Sequence, residues 1–590
     1  MNHTFTPLRF RIFGAALAML ALGDRPTFLQ AEEREVDSFR RQQLTDVYYS
    51  EGANAGDING DGAADIVYGP YWFAGPDFKA KHEIYPPKPQ PTNAYADNFF
   101  NWVYDFNGDG WNDVFTVGFP GTPAYVYENP QADGLTKYWK KHAVFEAVAN
   151  ESPQLVDIVG DERPELVCTF QGAFGFATID WDKPFEKWTF HAISDVSAPA
   201  RFGHGLGVGD INGDGRTDLL MAGGWFEQPA EKPESSRWPF HKVAFTNAYG
   251  GAEMYAYDVD GDGDNDVITS LAAHDFGLAW YEQVRGEGEP AFRQHLIMGG
   301  KPEQNRYGLV FSELHSVALA DIDGDGLKDI VTGKTYWSHH KQSPLWDAGA
   351  VVYWFRLVRN SQGVDFVPYQ ADGEAGIGRQ LTVADVNGDR LPDLVVGGMK
   401  GCHVLLHQRD KVDVHRWLQS QPKPRASGDA TLQQGPASPI DDATGKVAGA
   451  LEAESLTVLK STAGRPSPQK MAGFKKDRWS GDAQLFWTGG KPGDRLSLEL
   501  PVAADGEFEI AAAFTMAGDY GIVQVHLDDE PLGARLDLFN YPDVLTSGVI
   551  SLGRRQLSQG THVLSLEIIG ANPAARPSHY VGLDYVQLKP

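Results

Sequence analysis

Cysteine is almost absent. The 590-residue chain carries two, Cys168 and Cys402, too few and too far apart to form a disulfide framework. Basic residues are also scarce: 51 Lys and Arg face 79 Asp and Glu, a net charge of −28. That deficit argues against nucleic acid and anionic membrane as partners. Long apolar runs are missing too. One run, Ile12 to Leu22, follows Arg9 and Arg11 but is too short to span a bilayer. With Leu29-Gln30-Ala31 behind it, residues 1–31 read as a signal peptide, with an uncleaved N-terminal anchor as the alternative. No later run reaches ~18 residues, so no membrane span is expected after cleavage. The expected location is secreted, periplasmic or at the cell surface. The GxSxG, HExxH and P-loop motifs do not occur.

What the chain does have is glycine, 65 residues, with 15 Trp and 22 Tyr. That mixture favours short strands and tight turns over helices. A nine-residue acidic motif recurs. It reads DINGDGAAD from Asp57, DFNGDGWND from Asp105, DINGDGRTD from Asp210, DVDGDGDND from Asp258, DIDGDGLKD from Asp321 and DVNGDRLPD from Asp385. A degenerate copy, DIVGDERPE, begins at Asp157. The steps are 48, 52, 53, 48, 63 and 64 residues, which marks a repeat architecture.

Oxygen-bearing side chains at positions 1, 3, 5 and 9 suit a hard divalent cation, with glycines at 4 and 6 allowing the turn. The expected calcium ligands are Asp57, Asn59, Asp61 and Asp65; Asp105, Asn107, Asp109 and Asp113; Asp210, Asn212, Asp214 and Asp218; Asp258, Asp260, Asp262 and Asp266; Asp321, Asp323, Asp325 and Asp329; and Asp385, Asn387, Asp389 and Asp393. About five or six structural Ca²⁺ ions are expected. Val159 and Glu165 weaken the copy at Asp157, and Arg390 replaces a glycine in the last copy. Metal-free Asx turns are the alternative. An EF-hand is excluded, because no acid stands at position 12 and strand-like runs follow.

Apolar runs flank each loop, and an aromatic run and an aromatic-x-x-His run come after. Four short strands per repeat, seven times, predict a seven-bladed β-propeller over 37–417, with the segment from Phe39 completing the last blade. A Pro-, Gln- and Ser-rich linker is expected over 418–449. Alternating runs then predict a β-sandwich, or jelly roll, over 450–590. The fold class is all-β.

The repeats resemble FG-GAP or VCBS repeats, the family whose calcium-loop propellers include the integrin alpha-chain head. The layout is similar to secreted bacterial VCBS proteins and, more loosely, to the propeller part of aldos-2-ulose dehydratase. The resemblance implies calcium held in the loop that joins two strands of each blade. The sandwich, opening on EAES and closing on VGLDYVQL, resembles carbohydrate-binding modules of the galactose-binding type.

The repeat register also locates a candidate site. Six residues before each first Asp stand Glu51, Phe99, Glu151, His204, Ala252, His315 and Arg379. Six strand residues rise about 20 Å, so this ring lies at the opposite end of the strands from the loops. Expected catalytic residues are His204 and His315 as bases, Glu253 assisting the leaving group, and Arg379 or Lys334 steadying the oxyanion, with His274 nearby. Expected sugar-binding residues are Glu51, Asn101, Glu151, Tyr71, Trp72, Trp225, Tyr336 and His339. Trp487, Tyr520, Phe539 and Tyr541 are platform candidates in the sandwich. His142, His191, His241 and His295, which recur blade after blade, read as structural. The leading reading is a secreted calcium-binding propeller that recognises carbohydrate and acts as a carbon–oxygen lyase or dehydratase. The alternative is a non-catalytic glycan-binding or adhesion protein.

Overall fold

The computed structural model describes residues 33–589 except 196, 236, 247–249, 285–289, 337–342, 361–362, 425–435, 573–574 and 577. The segment 1–31 and His339 therefore lie outside the described residues. Two compact units are distinguished: residues up to 36 with 409–421, and residues 37–408 with those from 422 onward. The small unit holds a short helix, Val414–Ser420, whose N-terminus is capped by the Asp413 carboxylate. Among the described residues no helix is long and apolar enough to cross a membrane.

The large unit is all-β. Its first part, among the described residues, is a succession of five four-stranded antiparallel sheets and one eight-stranded sheet, which is two such four-stranded units joined edge to edge, in a β-propeller arrangement. The innermost strands are Asn54–Gly56, Asn98–Tyr104, Gln154–Val156, Leu206–Gly209, Glu253–Tyr257, Val317–Ala320 and Leu381–Ala384. Neighbouring units meet along this inner line. Leu206 to Val208 pair in parallel with Glu253 to Tyr255, and parallel bridges join Asn150 to Gly203 and Thr335 to Ile377. A further bridge, Gly52 to Gln380, joins the first unit to the seventh. The backbones come very close: a Cβ on Gly207 would lie 1.9 Å from the Met254 carbonyl oxygen. The outer strand of the seventh unit is supplied from the N-terminal side by Asp37–Thr45. His407 pairs there with Asp37 at 2.9 Å and stacks on Phe39.

Each sheet is packed between two others, so its second strand is buried on both faces. Asp65–Tyr68, Asp329–Lys334 and Asp393–Gly398 are buried at every position. This explains why they read as continuous apolar runs rather than alternations. A recurrent amide tie links neighbouring sheets. Asn129, Gln228 and Gln283 each donate to the carbonyl at loop position 2 of the preceding unit, respectively Ile58, Ile158 and Ile211. Arg359 makes the equivalent bond to Val259 at 2.9 Å.

The chain ends in a sandwich of two sheets, one including Arg465–Lys470, Ala483–Thr488, Val581–Lys589 and Gly506–Met516, the other Arg495–Val502, Gly560–Ala571 and Gly521–Leu527. Its core contains Trp487, Leu498, Phe514, Val525 and Leu566, all at most 1% exposed.

Candidate functional site

The acidic loops join the inner and second strands of their units. Position 6 needs a left-handed backbone: Gly62, Gly110, Gly215 and Gly326 have φ between 84° and 90°. Arg390 and Glu162 adopt the same region at 71° and 68°, the price of a non-glycine residue at that turn. In the loop from Asp210, the first carboxylate accepts from the Gly213 and Gly215 N–H groups, both at 2.8 Å. The position-9 acid is a buried clamp. Asp218 accepts from Ile211 N–H and, on its other oxygen, from Gln228 N–H, both at 2.9 Å, which ties the loop to the third strand. Asp266, Asp329 and Asp393 repeat this pattern, and Glu165 keeps the first half of it in the degenerate copy.

Burial pushes these acids up: Asp65 and Asp218 to about 6, Asp113, Asp266 and Glu165 to about 7, and Asp329 to about 8. In the loops with three carboxylates, Asp258, Asp260 and Asp262, and likewise Asp321, Asp323 and Asp325, bring their oxygens within 4.8 Å of one another. An all-oxygen donor set of this kind fits a hard divalent cation.

At the opposite end of the strands, the ring residues divide into two clusters. The first crosses between units one, three and seven. Arg379 donates from Nε to Glu151 Oε2 at 2.9 Å and lies 3.8 Å from Glu51 Oε2. The Tyr48 hydroxyl donates to Glu51 Oε1, as does the Ala96 N–H at 3.3 Å. Tyr95 covers the guanidinium, its ring centroid 5.4 Å away. Burial raises the Glu51 carboxyl, against the pull of Arg379; Glu51 and Glu151 hold Arg379 charged despite its burial. Glu51, Glu151 and Arg379 are at most 4% exposed, so their charges face one another across the ring rather than an open mouth, with Glu51 Oε2 and both Arg379 Nη atoms buried without a hydrogen bond among the described residues.

The second cluster is imidazole-rich. The ring centroids of His204, His274 and His315 are 4.8, 5.0 and 5.8 Å apart. His315 is buried, its Nδ1 3.4 Å from Glu313 Oε2, whereas His204 and His274 are half-buried. Glu313 is wholly buried and holds a left-handed backbone, φ 66°, a strained choice for a non-glycine residue. Lys334, 1% exposed, donates to the Thr335 carbonyl at 3.2 Å. Burial pulls its ammonium down to about 8, partly offset by Glu313 and Asp347. Tyr336 packs on Tyr48, Ala96 and Met399, with the Lys400 ammonium 4.9 Å from its ring centroid.

Other expected residues sit elsewhere. Glu253 accepts from Val317 N–H at 2.8 Å and from the Ser316 hydroxyl at 3.4 Å within the inner seam, and burial raises it to about 7. Asn101 is a structural tie: wholly buried, it donates to the Gly52 carbonyl and the Ser50 hydroxyl. Tyr71, Trp72 and Trp225 are not sugar platforms, being 6%, 2% and 1% exposed. They fill the space between neighbouring sheets, where Trp72 stacks on His82 and Trp225 on His241 at 4.3 and 4.1 Å. Trp280 stacks on His295 in the same way, and His142, His241 and His295 each meet a third-strand glutamate within 2.9 Å. The recurrent histidines are structural. In the sandwich, Trp487 and Tyr520 are core residues, while Phe539 and Tyr541 pack against Val310 and Leu345 of the propeller part. Trp225→Ala is accordingly expected to cost about 3–5 kcal/mol in denaturant titration, with sugar affinity per folded molecule unchanged.

Sequence reasoning missed Tyr48, Tyr95 and Glu313. Glu313 stands two residues before His315, but no periodicity points to it.

Comparison with known proteins gives two kinds of finding. The FG-GAP repeat model matches residues 202–228, which is the loop from Asp210 with its flanking strands. Rhamnogalacturonan exolyase YesX of Bacillus subtilis (strain 168) is 24% identical over 328 residues, 50% of this chain and 48% of that protein. The chain thus spans about half the length of the curated relative it matches. Among solved structures, an exo-β-1,3-galactanase from Phanerochaete chrysosporium overlaps 94% of this chain and 99% of its own, at 11% identity and a TM-score of 0.30. A Paenibacillus xanthan lyase overlaps 91% of this chain and 42% of its own, at 11% identity and a TM-score of 0.22. Likenesses this weak say nothing of activity.

Proposed function

We propose that the protein is a secreted, calcium-stabilised, carbohydrate-acting propeller whose imidazole cluster carries out an elimination on a sugar. The observation that carries this reading is the convergence of His204, His274 and His315 beside Glu313 and Lys334, on a scaffold where His142, His241 and His295 recur as packing residues. The sequence match to a rhamnogalacturonan exolyase supports both the substrate class and the reaction type.

In a lyase or dehydratase, a base removes the proton beside a carbonyl or carboxylate, and the oxygen substituent on the next carbon departs. His204 and His274, less buried than His315, are the imidazoles placed to accept that proton. Glu313 and the Thr335 hydroxyl, each 3.4 Å from Nδ1, orient His315. Lys334, largely ammonium at neutral pH, balances the charge that develops on the substrate oxygen. The calcium loops at the other end supply rigidity: the hard cation would be held by Asp258, Asp260 and Asp262, by Asp321, Asp323 and Asp325, and by the equivalent Asp and Asn residues of the other loops. The test is growth of ultraviolet absorbance from new double bonds when the protein meets a panel of uronate polysaccharides and oxidised sugars. No product across that panel would overturn the enzyme reading.

A second reading, glycan binding without turnover, is favoured by one observation: Glu51, Glu151 and Arg379 are sealed from solvent. Retained binding on a glycan array with no product would select it.

Lys334 gives a separate check. Its folded pKa, about 8, lies below the ordinary lysine value, so between about 8 and 10.5 the unfolded chain binds more protons. Stability therefore rises with pH through that window relative to a variant lacking the amine. Lys334→Met is expected to raise stability at pH 7 by up to roughly 3 kcal/mol, an advantage that fades towards pH 10.5. Turnover that depends on the ammonium is expected to fall as pH rises through about 8, and the Met variant is expected to lose that limb.

A further inference from the structure

Between the first and second propeller units lies a cleft of about 240 Å³. Its walls include Pro70, after the strand Asp65–Tyr68, and Gly118, at the end of Asp113–Gly118. Lys334 ends the equivalent strand of the sixth unit, so cleft and imidazole cluster share one end of the strands.

The lining has two characters. One is aromatic: the Tyr85 and Tyr127 rings stack at 4.6 Å, with Tyr125 beside them. The other is polar: Gln90 and Asn98 present amides, and Asn98 donates to the Tyr85 hydroxyl at 3.3 Å. Two cations and one acid also line it. Lys88 is paired with Asp97. The Lys141 ammonium lies 3.5 Å from the Tyr125 ring centroid and 5.6 Å from that of Tyr127, and among the described residues no carboxylate pairs with it. An uncompensated ammonium on an aromatic wall, in a chain of net charge −28, is a docking point for an anion. Ring faces for stacking, amides for hydroxyls and one cation for a carboxylate are what an acidic sugar requires. The volume is below that usual for drug-sized ligands and suits a single sugar residue.

The chain leads directly from the first ring cluster into the wall of the cleft. Tyr95 covers Arg379, the Ala96 N–H bonds Glu51, and Asp97 and Asn98 line the cleft. These four consecutive residues span at most roughly 10 Å. We infer that the cleft is a subsite for an acidic sugar residue of the same saccharide chain whose reacting residue occupies the imidazole cluster. The inference rests on the carbohydrate reading above. It narrows the substrate to acidic oligo- or polysaccharides, with Lys141 donating to the sugar carboxylate and the partly exposed Tyr125 stacking on its ring.

Titration calorimetry of the full chain with trigalacturonate and with neutral galactotriose tests it. Lys141→Met keeps the stem over Tyr125 and is expected to weaken trigalacturonate at least tenfold, to flatten its salt dependence and to leave galactotriose unchanged. Tyr125→Ala is expected to weaken both probes, with a thermal melt confirming the fold. Unchanged trigalacturonate affinity in Lys141→Met, alongside weakened affinity in His204→Gln, overturns the subsite while leaving the imidazole cluster in place. The reverse pattern keeps the cleft and removes the cluster as a sugar site. A wild-type protein that binds neither probe overturns both.

Discussion

Chelating divalent cations is expected to lower the melting temperature by more than about 10 °C. Each loop gathers several oxygen donors, and its position-9 acid is buried beneath it. A ligand at about a hundred times its dissociation constant contributes about 2.7 kcal/mol per site. Five or six loops together would then contribute on the order of 10 kcal/mol, comparable to the whole stability of a typical domain. The effect carries a pH signature. Asp113 and Asp266 titrate near 7 and Asp329 near 8 in the fold, above the ordinary aspartate value. The native state therefore binds more protons than the unfolded chain between about 4 and 8, and the slope of stability against pH is negative there. The ion-free protein is expected to weaken as pH rises through that window, because buried carboxylates must ionise without a counter-charge. Calcium should remove the slope. Calorimetry in chelator and in calcium-replete buffer reads both effects. Coincident melts at every pH would mean that the loops are hydrogen-bonded Asx turns and nothing more.

Replacing an imidazole in the cluster is expected to cost turnover, not fold. His204→Gln and His274→Gln should each lower the rate of double-bond formation by about 10²- to 10⁴-fold, the usual worth of a general base. Both side chains are half-buried, so their melting temperatures should stay near that of the wild type. His315→Gln differs, because His315 is 2% exposed and sits against Glu313. It should lose turnover and some stability together, and Glu313→Gln should shift the pH profile by changing what orients His315. Wild-type rates in both His204→Gln and His274→Gln would dissolve the proposed site.

Much of this was legible from spacing. The acidic loops announce themselves through repetition, and the same register brings His204 and His315 to one end of the strands without any knowledge of side-chain contacts. His274, at the exit of the following strand, joins them for the same reason. The aromatic residues misled. Trp72 and Trp225 stand near strand exits, where exposure is expected, but in a stack of sheets both faces of a strand are covered, so large rings there fill the gap between neighbours. Arg379 misled differently. Its charge suggested an open oxyanion site, whereas acids from two other units reach it across the ring, a pairing distant in sequence and visible only once the units are arranged. Glu313 escaped because its role depends on a left-handed backbone that no residue pattern encodes.

The seventh sheet is completed by a strand from the other end of the chain, and this orders events in time. Residues 37–45 are made long before residues 401–408, the mate they pair with in the seventh sheet. Through most of translation the early segment is an unsatisfied edge, open to mispairing with another copy. Once the two meet, this clasp adds to the Gly52–Gln380 bridge between the first and seventh units, and without residues 37–45 the seventh sheet would keep an open outer edge.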